Sequence, residues 1–343
     1  MTIKKGGLKN ILNHRAKPLV IADYFVPLHS MLHKIVHTLL FAAFVLTANA
    51  QETIVFTPQW TAQAQFTGYY VAEAKGFYRE AGVKVKIEHP TPTISAMERL
   101  RTKRSQAITL QLCQALEIVD GGTPLVNILQ TSMNNAMVIV SRRDKDPLTQ
   151  KGERVGIWSV GFGQLAMCMS NKDHLNYQWV MFAQNVNLFI AGALDATLAM
   201  SYNEYYQLMQ AGVKMTKKNV YRFCDHGYNV QEDGVYMTRE YYEQHRDQAR
   251  RFAQASRKGW EWAAAHPEEA LDIVMQYVNK NQIATNRVMQ RLMLKEVLRL
   301  QIDRESKKRE FRLRPDMVKK ASSLMLENRM LNREVTYQEL IEQ

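Results

Sequence analysis

PQWTAQAQFTGYYVAEAKGFYREAGVKVKIEHP, residues 58–90, contains the change of period that decides the fold. Across 62–81 the aromatic residues Phe66, Tyr69, Tyr70, Phe77 and Tyr78 recur at helical spacing, and Gly82 stops the pattern. Immediately afterwards 83–88 (VKVKIE) alternates apolar and charged residues, the period of a strand. Upstream, 53–56 (TIVF) is a short β-prone run closed by Pro58. Strand, helix and strand in this order make a crossover unit, which argues for a parallel sheet with helices on its faces.

The same alternation continues outward. A short helix is expected at 95–103, a strand at Ala107–Leu110, a helix at 112–119 before Gly121-Gly122, and apolar strands at 125–129 and Met137–Ser141. A second series follows the charged loop 142–151. Its strands are Arg154–Trp158, 178–183, Ala196–Met200 and 219–223, with helices between, and 235–237 returns as a strand. Beyond Arg239 the chain reads as helical, broken at Pro267 and Pro315. Residues 287–314 read as one solvated helix carrying the stripe Leu292, Val297, Leu298 and Ile302. The prediction is an α/β protein of two lobes, each a mostly parallel sheet flanked by helices. Residues 51–141 begin lobe 1, 142–234 form lobe 2, and 235–343 return to lobe 1 and add the C-terminal helices. The loop 142–151 and the turn near 227–234 are the expected crossings.

The 343 residues are 46% hydrophobic and 23% charged, a globular balance with too much apolar surface for a disordered chain. The formal net charge is +12, yet no Lys/Arg block is interleaved with aromatics, which argues against nucleic acid as a partner. Cys113, Cys168 and Cys224 are far apart and form no CxxC or Cys/His cluster, so neither a metal site nor a redox pair is expected.

Residues 31–50, MLHKIVHTLLFAAFVLTANA, have the layout of an export signal. Lys34 supplies the positive start, 38–46 the apolar core, and Ala48-Asn49-Ala50 the small-x-small cleavage site. The apolar core is shorter than the roughly 20 residues that span a bilayer. Gln51, not Cys, follows the cut, so lipid attachment at this site is not expected. Translation is expected to start at Met31, with 1–30 an extension upstream, and the mature protein to be periplasmic.

Residues 58–90, GTPLVNILQ (122–130), RVGIW (Arg154–Trp158), AGALDATLAMSYNEY (191–205) and RKGWEWAAAHPEEALDIV (257–274) together resemble periplasmic solute-binding proteins of the no-message-in-thiamine type. That group is related to the sulfonate- and taurine-binding proteins. The resemblance implies a type II periplasmic-binding fold closing over a ligand, here a small heterocycle such as a thiamine pyrimidine precursor. It also implies an ABC transporter permease as partner, a monomeric protein and no cofactor. Pyrimidine synthases of the same family use a lysine, a histidine and a cysteine-rich motif. Here those positions fall near Leu110, Gln114 and Cys224, and neither of the first two can form the Schiff base or supply the imidazole. A synthase and a ligand-sensing module are the alternative readings.

Candidate ligand residues follow the strands. Trp60 lies just past the first, where an indole can stack on a flat ring or pack in the core, and Gln59 and Gln63 flank it, as solvated loop residues in the first place or as hydrogen-bonding groups. Trp158, Gly161, Phe162 and Gly163 lie between a strand and a helix, as an anion-binding turn or a plain tight one. Tyr202, Asn203 and Glu204 follow ATLAM, either as cleft contacts or as a helix cap, with Glu204 able to accept two hydrogen bonds from an aminopyrimidine edge. Trp60 and Glu204 are expected on opposite lobes. Tyr69 and Phe66 are expected mainly in the core, with a ring edge reaching the cleft. Asp225 and His226 beside Cys224 read as a polar turn. N-terminal sequencing of the exported protein should begin at Gln51, and any other mature start would refute this cleavage site.

Overall fold

The apolar runs become ten strands among the described residues of the structure, a computed structural model that describes 52–342 apart from 92, 143, 150, 159, 160 and 183–185. The expected export signal and the extension before it lie outside the described residues. The strands are β1 (Ile54–Thr57), β2 (Val85–Ile87), β3 (Ala107–Leu110), β4 (Leu125–Gln130), β5 (Met137–Ser141), β6 (Arg154–Trp158), β7 (Gln178–Phe182), β8 (Ala196–Met200), β9 (Val220–Arg222) and β10 (Gly234–Thr238). Around them pack α1 (Thr67–Ala74), α2 (Phe77–Glu80), α3 (Ala96–Arg101), α4 (Leu112–Asp120), α5 (Gln164–Lys172), α6 (Asn187–Ile190) and α7 (Glu204–Gln210). The C-terminal part adds α8 (Arg239–Gln244), α9 (Arg246–Ala265), α10 (Pro267–Lys280), α11 (Arg287–Leu300) and α12 (Pro315–Glu327).

Two five-stranded sheets result, ordered β2-β1-β3-β10-β4 and β7-β6-β8-β5-β9. In the first, β1 pairs in parallel with β2 and β3, and β10 runs antiparallel to β3 and β4. In the second, β6 pairs in parallel with β7 and β8, and β5 runs antiparallel to β8 and β9. Each sheet therefore has four strands running one way and one reversed. The reversed strand is in both cases the first to arrive from the other lobe.

That topology moves the first crossing. Met137–Ser141 was expected in lobe 1, yet it sits between β8 and β9 of the second sheet, so the chain crosses at 131–136 and not at 142–151. A fully buried apolar strand looks the same in either sheet, and only pairing partners distinguish them. The return lies between β9 and β10. Thr131 N and Ser132 N donate to Asp233 O at 2.8 and 3.1 Å, and Ala136 N donates to Glu232 Oε2 at 2.9 Å, so the two crossings are bonded side by side.

Two helical expectations are also corrected. The run 62–81 is broken at Gly76, whose φ of 77° caps α1 in the left-handed region and starts α2 separately. The stretch 287–314 is helical only through Leu300, burying Met289, Met293, Leu294, Val297 and Leu300. Residues 301–314 instead run along the crossings. Met133 N donates to Leu300 O at 2.9 Å, and Gln231 bonds both Arg312 O and Arg314 N. Pro267 and Pro315 open helices at the first turn, where a missing N–H costs nothing.

The lobe 1 core centres on α1 crossing α9, where Trp260 is buried against Tyr69. The helices approach so closely that a Cβ on Gly259 would lie 2.0 Å from Gly68 O. Among the described residues no helix is long and apolar enough to cross a membrane.

His89, just past β2, fixes the loop after β1. Its Nδ1 lies 2.6 Å from Trp60 O and its Nε2 lies 2.8 Å from Tyr70 Oη. A carbonyl only accepts, so the proton is on Nδ1, and Nε2 accepts from the tyrosine. Burial lowers the imidazole to a pKa of about 4, against the bond to Trp60 O.

Two tests follow from the packing. Gly259→Ala should lower stability by about 1–3 kcal/mol or more by forcing the helices apart, and an unchanged melting temperature would contradict the close approach. His89 is lowered in the folded state, so its stabilisation is complete above about pH 6.5 and is lost as pH falls toward 4. The stability difference between wild type and His89→Gln should therefore shrink by about 2–3 kcal/mol between pH 7 and pH 4 in parallel denaturation series, and a difference that stays constant would refute the buried neutral imidazole.

Candidate functional site

Parallel strands bring their carboxyl ends to one edge of a sheet, and a cleft opens where the strand order reverses. In the first sheet that point lies between β1 and β3, and in the second between β6 and β8. Gln59 and Trp60 follow β1, Gln111 follows β3, Trp158 ends β6 with Phe162 just beyond, and Met200 ends β8 ahead of Tyr202, Asn203 and Glu204. With Gln63 and Gln65 these residues line a pocket between the lobes. Trp60 and Glu204 line it from opposite lobes.

The lobe 1 wall is built of amides. Gln59 N donates to Thr109 Oγ1 at 2.8 Å, which anchors the loop to β3. Gln59 Nε2 and Gln65 Nε2 donate to the two oxygens of the Asp233 carboxylate at 2.8 and 2.6 Å, and Gln63 Nε2 donates to Gln65 Oε1 at 2.7 Å. Burial raises Asp233 to a pKa of about 6, and the two amide bonds limit the rise. Gln111 caps α4 in a reciprocal pair with Gln114, so its backbone is fixed at the pocket edge.

The lobe 2 wall is aromatic and rests on Glu204. Its Oε1 accepts from Trp158 Nε1 at 3.2 Å and Asn203 Nδ2 at 3.1 Å, and its Oε2 accepts from Met200 N at 2.9 Å. Burial raises its pKa, and these bonds oppose the rise. Three of about four lone-pair sites are thereby taken, so the expectation that Glu204 offers two acceptors to a ligand is corrected to one at most. Its main role in the unliganded protein is to orient the Trp158 indole. Burial and the nearby carboxylates Asp233, Glu232 and Glu204 push Tyr202 well above its usual range, so its hydroxyl stays a donor. Across the cleft, Trp60 meets Phe162 edge-on at 5.7 Å, and Phe162 in turn faces Trp158 at 6.5 Å.

Three candidates are placed elsewhere. Tyr69 is buried in the core between Phe56 at 4.5 Å and Trp260 at 5.7 Å, and does not line the pocket. Gly163, with φ at 107°, starts α5 where a Cβ would come 2.7 Å from Ile157 Cδ1, and Gly161 turns the chain with φ at 56°. Neither glycine lines the pocket. Residues 159 and 160 of the same turn lie outside the described residues. Gln65, Gln111 and Asp233 escaped the sequence reading. The rule that singled out Gln59 after β1 applies equally to Gln111 after β3.

The pocket continues outward into a wider recess that shares Gln59, Trp60 and Phe162 with it. Leu110 and Gln114, near which the resemblance sets the synthase lysine and histidine, line that recess as an apolar side chain and a capping amide. Cys113 and Cys168 are buried free thiols and Cys224 is half-buried, bonded to Arg304 away from the pocket. The described residues hold no His/Cys/Asp/Glu group suited to a metal ion.

Two curated proteins are similar to this chain. Riboflavin-binding protein RibY of Chloroflexus aurantiacus is 23% identical over 268 residues, covering 73% of this chain and 74% of that protein. The formylaminopyrimidine-binding protein of Halalkalibacterium halodurans is 24% identical over 242 residues, covering 66% of this chain and 71% of that protein. Both are named as binding proteins and neither as an enzyme. Among solved structures, the zinc-bound ligand-binding component of an ABC-type import system from Staphylococcus aureus shares the fold. Its TM-score is 0.64 at 12% identity, with 85% of this chain and 97% of that one covered. The family model described as NMT1/THI5 like matches residues 63–270, and the chain belongs to that family.

Proposed function

We propose that this protein is the substrate-binding component of an ABC importer, which captures a flat, amine-bearing heterocycle of the thiamine-pyrimidine-precursor class between its lobes. The observation that carries the reading is the composition of the pocket. Trp60, Trp158, Phe162 and Tyr202 supply aromatic surface, Gln59, Gln63, Gln65, Gln111 and Asn203 supply amides, and the one charged lining residue is the acid Glu204. Aromatic faces suit a planar ring, and amides suit its exocyclic N–H and ring nitrogens. A sulfonate would meet a buried carboxylate with no lining Lys, Arg or His, an arrangement that disfavours an anion.

Capture is reversible, and the lobes meet over the ligand through bonds that opening would break. Gln164 Nε2 donates to Glu117 Oε2 at 2.9 Å, and Ser201 Oγ donates to Glu296 Oε1 at 2.7 Å. The apposed lobes then form one surface for a permease. The expected export signal at 31–50 supports a site of action in the periplasm. The protein is proposed to act as a monomer.

Formylaminopyrimidine should raise the melting temperature, because a ligand bound by the native state alone stabilises it, and an alkanesulfonate should not. Trp60→Ala should weaken binding by about 2 kcal/mol, roughly thirty-fold, with little change in unliganded stability. Glu204→Gln should weaken binding and also lower unliganded stability by about 1–3 kcal/mol, since it turns a donor toward Trp158 or Met200 N. A shift with the sulfonate alone, or full affinity in Trp60→Ala, would refute the assignment.

A further inference from the structure

Asp233 lines no part of the pocket, yet it determines how two pocket residues face it. An ionised carboxylate only accepts hydrogen bonds, so the amides of Gln59 and Gln65 must turn their N–H groups toward it. Gln65 Oε1 is then satisfied by Gln63 Nε2. Gln59 Oε1 is left buried with no partner in the protein. We propose that Asp233 is the positioning residue that sets the polarity of the lobe 1 wall, holding Gln59 so that its carbonyl oxygen serves as the acceptor for a ligand N–H. This rests on the reading of the pocket as the ligand site.

The arrangement is reversible by one proton. Protonated Asp233 gains a donor, which can satisfy an amide oxygen and turn that amide's N–H2 toward the pocket, and the wall then offers a donor in place of an acceptor. The titratable groups facing Asp233 are Glu232 in its own segment, Tyr69 on α1, Tyr202 from lobe 2 and Tyr236 on β10. None of these is cationic, and burial holds Asp233 at a pKa of about 6. The acceptor state therefore prevails above that pH, and affinity for an N–H donor falls as pH drops through it.

Two measurements test this on the full exported protein. The first needs no ligand: the side-chain amide signals of Gln59 and Gln65 in 15N-labelled protein should move together with one midpoint near pH 6. Signals that stay flat from pH 5 to 7.5 would overturn the proposal. The second is titration with formylaminopyrimidine. Wild type should bind about tenfold more weakly at pH 5 than at pH 7.5, and Asp233→Asn should bind weakly at both, without the pH dependence. A variant that keeps the wild-type pH profile would overturn it too. If wild type binds no formylaminopyrimidine at either pH, the ligand reading fails, and the amide titration still decides the role of Asp233.

Discussion

Both the joining of the lobes and the orientation of the pocket amides meet at one residue of the return crossing. The main-chain oxygen of Asp233 faces Thr131 N, Ser132 N, Thr131 Oγ1 and Gln130 Nε2, all at 2.8–3.1 Å. Its carboxylate takes the two glutamine amides of the lobe 1 wall. A buried carboxylate is costly unless its oxygens are hydrogen-bonded, so the wall and the crossings constrain one another. Glu232 beside it repeats the pattern on Ala136 N, at the point where the first crossing enters β5. Two acids in succession at the crossing are costly to desolvate, and desolvation raises the pKa of both.

Strand polarity explains why the site lies where it does. β1, β3, β6 and β8 all deliver their carboxyl ends to the cleft, and each is followed within a few residues by a side chain of the pocket. The two walls divide the chemistry. Lobe 1 brings amides held by a half-buried acid, and lobe 2 brings aromatic rings, one of them held by a buried glutamate. Asp233 works from behind the contact surface, and Glu204 from within it. Such an arrangement fixes side-chain direction before a ligand arrives, which reduces the ordering cost of binding.

Much of this was legible in the sequence, because period and turn residues are local. The strands Ala107–Leu110, Met137–Ser141, Arg154–Trp158 and Ala196–Met200 fall where the apolar runs place them. Trp60, Trp158, Phe162 and Tyr202 were legible as pocket-lining candidates because they sit at or just past strand ends. What escaped depends on partners distant in the chain. Met137–Ser141 joins the second sheet through pairing with Ala196–Met200, some 60 residues on, and nothing in MVIVS encodes that choice. Asp233 bonds Gln59 across 174 positions, so no motif announces it. Tyr69 was taken for a partial cleft contact because helical spacing gives its face but not its depth. The sequence leaves Glu204 either a cleft acceptor or a helix cap, because its three internal donors come from β6, the end of β8 and its own neighbour.

The central claim is that a single flat ring is held between the two lobes by aromatic and amide walls. A crystal structure of the protein with formylaminopyrimidine tests it most directly. The account predicts the ring inside the inner pocket, between Trp60 and Trp158, with an N–H directed at Gln59 Oε1. A ring lodged in the outer recess against Leu110 and His89, or bound on one lobe alone, would contradict it.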